Sequence, residues 1–273
     1  MKGRWGVFVC LKVMLCFMCV SAYASSFECL IEPSKTVVLS SPTTGLLDRV
    51  SVTRGDRVKK GQVLATLDSQ VEQSAVNAAR FKSEQLGPMR LAENKILFLT
   101  RKFERQRNLA VDKLVSIQDR DNAESELRLA EAELLVAKEN RQIAKLELLQ
   151  QLSLLSLRSM RSPFDGVVVE QLAFPGEMVE PGVSKKSVLK IAQLNPVKVH
   201  VILPKKLFGK IKIGKDVEVF PEINNKVSYI AEIKTVDKLI DAGSGTFVVY
   251  LEIKNAQFSI PTGVKCNAIF NDI

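Results

Sequence analysis

The sequence predicts a mainly β protein with a long α-helical hairpin set into its middle. Three observations predict it. A glycine-punctuated motif occurs twice in the same order, residues 70–161 between the copies keep helical periodicity almost throughout, and residues from 195 onward alternate apolar and polar like strands.

Residues 1–24 read as a secretory leader and stand apart from the fold. Lys2, Arg4 and Lys12 make a basic start, Val13 to Val20 an apolar run, and Ala22-Tyr23-Ala24 the small residues a signal peptidase needs, so cleavage after Ala24 is expected. The run falls short of the roughly 20 residues a spanning helix requires. Neither Cys19 nor Cys29 follows the small residues of a lipid-attachment site. Three of the five cysteines leave with the leader, so the exported chain keeps Cys29 and Cys266. Its net charge falls from +9 to +6. No basic run is interleaved with aromatics, so no nucleic-acid partner is expected.

The first motif copy reads Ser41-Pro42-x-x-Gly45-Leu46, then Gly55-x-x-Val58-x-x-Gly61-x-Val63-Leu64. The second reads Ser162-Pro163-x-x-Gly166-Val167, then Gly176-x-x-Val179-x-x-Gly182 and, after a four-residue insertion, Val188-Leu189. Each copy carries alternating apolar residues (Leu47, Val50, Val52; Val167, Val169, Leu172) broken by glycines where the chain turns. Neither copy, 41–69 or 162–194, is large enough to bury a core alone. Two halves packed into one β-sandwich are expected.

Between the copies, Met89, Ala92, Ile96, Leu99 and Phe103 step by three and four, as do Ala123, Leu127, Ala130, Leu134 and Ala137. Ala144 and Leu148 continue the second seam beyond a breach at Arg141. Two such seams make an antiparallel coiled coil. The reversal falls at Val111-Asp112-Lys113-Leu114-Val115, followed by Ser116 as an N-cap with Asp119 three residues on. Gly87-Pro88 should kink or interrupt the first arm. Arms of roughly 40 residues at about 1.5 Å per residue reach about 60 Å. Leu129, Ala132, Val136, Ile143 and Leu146 form a second apolar stripe, more than one partner helix covers, so neighbouring copies are expected to pack along it.

Little here suggests catalysis, and no cofactor is expected. His200 is the single histidine and lies in an alternating strand, and no Ser/His pair, metal-spaced His/Cys cluster or phosphate-cradling loop occurs. Met89, Met160 and Met178 are too scattered to bind a soft metal.

The sub-pattern Gly55-Asp56-Arg57-Val58-Lys59-Lys60-Gly61-Gln62-Val63-Leu64 resembles the biotinyl/lipoyl-type domain. A carrier domain of that type joins its halves by a tight lysine-bearing hairpin, whereas here residues 70–161 intervene. The split lipoyl-like β-sandwich, the antiparallel coiled-coil hairpin and the strand-rich stretch after them together resemble the membrane fusion protein family, the HlyD-like periplasmic adaptors of resistance-nodulation-division (RND) and related pumps. That resemblance implies a small β-barrel over 195–273, completed by a strand within the lead-in 25–40, roughly Phe27 to Ile31. Cys29 and Cys266 would then share one small domain, and a disulfide between them is expected. It implies a non-catalytic role linking an inner-membrane transporter, RND rather than ABC, to a TolC-like outer-membrane channel, as a trimer or hexamer in the assembly. The family's tip residues, an arginine, a leucine and a serine or threonine, match Arg105-x-x-x-Leu109-x-x-x-x-x-x-Ser116. With few residues before Pro33 and an end at Ile273, no membrane-proximal domain is expected, which leaves the barrel face for the pump. The alternatives are an adaptor of an ABC or type I secretion system and a lipoyl or biotin carrier component.

Overall fold

The computed structural model describes residues 25–182, 187–224 and 227–270; the leader, 1–24, and most of the stretch holding the four-residue insertion, 183–186, lie outside them. In chain order the elements are β1 (Ser25–Leu39), β2 (Gly45–Val50), β3 (Arg57–Val58), β4 (Val63–Leu67), α1 (Gln70–Glu84), α2 (Gly87–Val111), α3 (Ile117–Ser156), β5 (Ser159–Arg161), β6 (Gly166–Gln171), β7 (Met178–Val179), β8 (Leu189–Pro204), β9 (Asp216–Pro221), β10 (Tyr229–Val236), β11 (Thr246–Ile253) and β12 (Val264–Phe270). The fold is mainly β with one long helical hairpin. The described residues divide into two compact units, one within 35–193 and one formed by 25–34 together with those from Leu194 to Phe270.

In the first unit the two motif copies exchange hydrogen bonds reciprocally. Gly55 N donates to Val168 O and Gly176 N to Leu47 O, both at 2.8 Å, while Val168 N donates to Asp56 O and Leu47 N to Glu177 O, both at 2.9 Å. Strand pairing is swapped in the same way: β2 pairs with β7 through Gly45↔Val179, and β3 with β6 through Val58↔Gly166. Each copy thereby supplies backbone partners to the other, with Leu47, Leu64, Val168 and Leu189 in the shared core. Ser41 and Ser162 are both buried, and each hydroxyl donates to the carbonyl two residues on, Thr43 O and Phe164 O.

Two expectations need correction. In the second copy the inward position is Val168, 1 % exposed, while Val167 and Val169 are only half-buried. Three successive valines leave a period of two without a phase, and the backbone exchange with Gly55 sets it. The second half also begins earlier than residue 162. Strand β5 pairs with β4 (Val63↔Arg161), so Ser159–Arg161 belongs to the sandwich and the hairpin ends with α3.

The first arm of the hairpin is interrupted. Helix α1 stops at Glu84, and α2 restarts at Gly87 with Pro88 in its first turn, where a missing N–H costs nothing. Helix α3 spans both pieces in one run of 40 residues, about 60 Å. Ala92, Leu99, Ala123, Ala130 and Ala144 are buried in the seam. Arg141 breaks the seam opposite the interruption, where Gln85, Pro88 and Met89 line a 160 Å³ cavity with it. Lys82–Glu147, Lys95–Glu133 and Lys102–Glu126, each 2.7 Å, run as a ladder across the arms, always lysine on the first and glutamate on the second. Exposed pairs of this kind contribute little stability, but the constant polarity favours one register. Arg158, just past α3, ion-pairs with Glu72 at the start of α1 and donates to Thr44 O at 3.0 Å, fastening both arms to the sandwich.

The second unit is a barrel of strand order β1-β12-β9-β10-β11-β8, with β1 pairing in turn with β8. Val197, Val199, Val201 and Leu203 alternate inward on β8, and Phe247, Val249, Leu251 and Ile253 on β11. Strand β1 lies antiparallel to β12 with Cys29 opposite Cys266, and a disulfide joins the two. His200 faces outward on β8, stacked edge-on against Tyr250 at 4.7 Å with Nδ1 3.4 Å from Glu32.

Candidate docking tip of the hairpin

The reversal is built from two interlocking caps. Helix α2 ends in a Schellman-type closure, with Lys113 N donating to Ala110 O (3.1 Å) and Leu114 N to Leu109 O (2.9 Å). The left-handed position of this motif usually holds glycine, and here Lys113 occupies it at φ 58°. Helix α3 opens with a capping box: Ser116 Oγ accepts from Asp119 N at 3.1 Å, and Asp119 Oδ2 accepts from Ser116 N at 3.3 Å. These bonds satisfy, within the turn itself, backbone groups that a helix end leaves open.

The structure brings Leu109 and Ser116 to this turn and leaves Arg105 on the flank, six residues before the end of α2, about 9 Å along the axis. Leu109 is half-buried. Ser116 is exposed, but its hydroxyl proton already goes to Asp119 Oδ2 at 2.6 Å, so it caps and has no proton left to donate outward. The Arg105 guanidinium is exposed and has no hydrogen-bond or ion-pair partner among the described residues.

Sequence reasoning missed the apolar crown of the tip. Val111, Leu114 and Ile117 are 78, 70 and 67 % exposed. The signal was present: a tight reversal is expected to hold polar turn residues, and this one reads Val-Asp-Lys-Leu-Val-Ser-Ile. Farther down, Leu129, Val136, Ile143 and Leu146 are each more than half exposed, and Leu91 and Phe98 border a groove of about 550 Å³ that reaches Glu133.

Elsewhere, a groove of about 580 Å³ on the barrel is lined by Tyr229, Glu232, Lys234 and Glu252. There the hydrogen bond from Lys234 to Glu232, 2.6 Å, holds the ammonium above the ordinary lysine value. Among the described residues no group of three His, Cys, Asp or Glu side chains could hold a metal ion, and no helix is long and apolar enough to cross a membrane.

Known proteins carry the same architecture. Residues 35–193 match the family model of the CzcB-like barrel-sandwich hybrid domain. A UPF0194 membrane protein of Acidithiobacillus ferridurans is 33 % identical over 62 % of this chain and 60 % of its own length. The macrolide export protein MacA of Yersinia pestis is 27 % identical over 62 % of this chain and 46 % of its own. The chain thus spans about half the length of the curated relatives it matches. The crystal structure of MacA from Actinobacillus actinomycetemcomitans superposes with a TM-score of 0.74 at 23 % identity, over 90 % of this chain and 78 % of that one. The family model covers more than half the chain, over the unit where a lipoyl-like sandwich is split by a helical hairpin, and the chain accordingly belongs to the membrane fusion protein family.

Proposed function

We propose that this protein links an inner-membrane transporter of the RND class to a TolC-like outer-membrane channel, as a non-catalytic periplasmic adaptor whose hairpin tip makes the channel contact. One observation carries the reading. The tip satisfies its own backbone through two caps, yet presents Val111, Leu114 and Ile117 to solvent, with Arg105 on the flank unpartnered among the described residues. A guanidinium can make forked hydrogen bonds to carboxylates or carbonyls of a facing helix end, and the apolar crown gains from burial against it. Leu109 closes the turn through its carbonyl, and Ser116 holds the turn in shape through its cap.

The exposed stripe of Leu129, Val136, Ile143 and Leu146 supports a homo-oligomer, trimer or hexamer, with hairpins side by side. A relative's name speaks of macrolide export, and export is the process assigned here; the adaptor joins the two membranes' components and leaves cargo choice to the pump. Co-purification from cross-linked cell envelopes tests the whole reading. It should recover one outer-membrane channel and one inner-membrane transporter with the chain. Recovery of neither, or of a modified lysine on the intact chain, would replace the adaptor reading with another.

A further inference from the structure

The connection from β8 to β9, residues 205–215, reads Lys-Lys-Leu-Phe-Gly-Lys-Ile-Lys-Ile-Gly-Lys: five lysines and no acidic residue. It is fastened down. Leu207 and Ile211 pack into the barrel core, Phe208 stands edge-on to Phe247 at 5.3 Å, Lys205 N donates to Gly245 O at 2.9 Å and Gly214 N to Ile233 O at 2.8 Å. Outward it shows Lys205, Lys206, Lys210 and Lys212, all exposed and in no ion pair among the described residues, with Ile213 66 % and Phe208 42 % exposed.

The neighbouring β10–β11 connection adds to the same rim. Pairing of Pro204 with Thr246 and of Asp216 with Glu232 places both connections at one end of the barrel. There Lys238 is exposed, and Leu239 and Ile240 are 77 and 37 % exposed. The carboxylates of this connection accept from its own backbone: Asp237 from Leu239 N, Asp241 from Gly243 N and Ser244 N. Ser25 opposite Phe270, and Ile269 opposite Glu218, bring the first described residue to this end as well.

We propose that this rim of the barrel is a membrane-contact surface that takes the anionic headgroups of a phospholipid bilayer. Two features favour lipid over an acidic protein face. The cations are all lysines, point charges on flexible stems that suit mobile headgroups, where a fixed carboxylate would favour arginine's planar fork. Large apolar side chains stand among the cations, as in segments that lie in a bilayer interface. The inference is independent of the tip and of its channel.

The protein beginning at Ser25 is mixed with vesicles of phosphatidylcholine alone or with added phosphatidylglycerol, and binding is read by co-sedimentation. Binding to the phosphatidylglycerol vesicles alone is expected. Each lysine near an anionic surface contributes about a fivefold factor, so Lys206→Gln, Lys210→Gln and Lys212→Gln together should weaken binding about a hundredfold. Arg54→Gln, Lys59→Gln and Lys60→Gln, the same charge change on the sandwich loops, should leave it unchanged. Ile213→Ser with Leu239→Ser, both at exposed positions, should also weaken it, and circular dichroism checks that each variant folds. No binding to phosphatidylglycerol vesicles, equal loss in the sandwich control, or binding indifferent to both rim variants overturns the proposal. The first result would assign the rim to a protein partner.

Discussion

The reciprocal sandwich makes a quantitative prediction at two glycines that occupy matching positions. A Cβ on Gly166 would lie 2.4 Å from the backbone oxygen of Ala192 and 3.1 Å from its carbonyl carbon. That carbonyl belongs to β8, held against β6 by Val167↔Ala192 and Val168↔Ile191, so relief requires the strand to move. A Cβ on Gly45 would instead lie 2.7 Å from Arg158 Nη1, the far end of a flexible side chain, and 3.1 Å from Leu67 Cδ1. Overpacking that shifts backbone lies at the upper end of the usual range, so Gly166→Ala should cost about 3 kcal/mol. Gly45→Ala can swing the arginine aside and should cost about 1–1.5 kcal/mol, mostly the lost bond from Arg158 to Thr44 O. Thermal unfolding of the chain from Ser25 onward, followed by circular dichroism, should show a loss at Gly166→Ala about twice that at Gly45→Ala. Equal losses would refute the argument that one position faces backbone and the other a movable side chain.

Three further outcomes follow from the caps and the barrel. Lys113→Gly relieves a left-handed lysine and should stabilise the chain by about 0.5–1 kcal/mol in urea titrations, without altering its helix content. Ser116→Ala removes the N-cap and should cost about 1 kcal/mol, whereas Ser116→Asn, an equally good cap, should keep both stability and any channel binding; loss of binding in Ser116→Asn would show that the serine itself touches the channel. Thiol labelling of the unreduced chain from Ser25 onward should find no reactive cysteine, and replacing Cys29 and Cys266 by alanine should cost about 2–4 kcal/mol; two labelled thiols would exclude the bond.

Periodicity made much of this architecture legible. Heptad steps from Met89 to Phe103 and from Ala123 to Ala137 give the seam, and Ser116 with Asp119 gives the start of α3. The phase of the second motif copy was hidden, because Val167, Val168 and Val169 are equally apolar and the backbone exchange of Val168 with Gly55 and Asp56 selects among them. Strand β5 was hidden for a related reason: Ser159-Met160-Arg161 is too short to show a period, and its strand character comes from β4 beside it. The clamp of Arg158 on Glu72 joins residues far apart in sequence, which no local pattern reveals. At the tip, residue types and spacing pointed to Arg105, Leu109 and Ser116, but the commitment of the serine's proton to Asp119 is a matter of geometry.

The central claim is that the hairpin tip meets the outer-membrane channel. A photo-cross-linking residue at the exposed Leu114 position, activated in intact cells, tests it most directly. An adduct with the channel is expected that disappears when Arg105→Ala and Ser116→Ala are combined, while the variant's circular dichroism stays that of the folded chain. An adduct that survives the double change, or none in the unaltered protein, would contradict it.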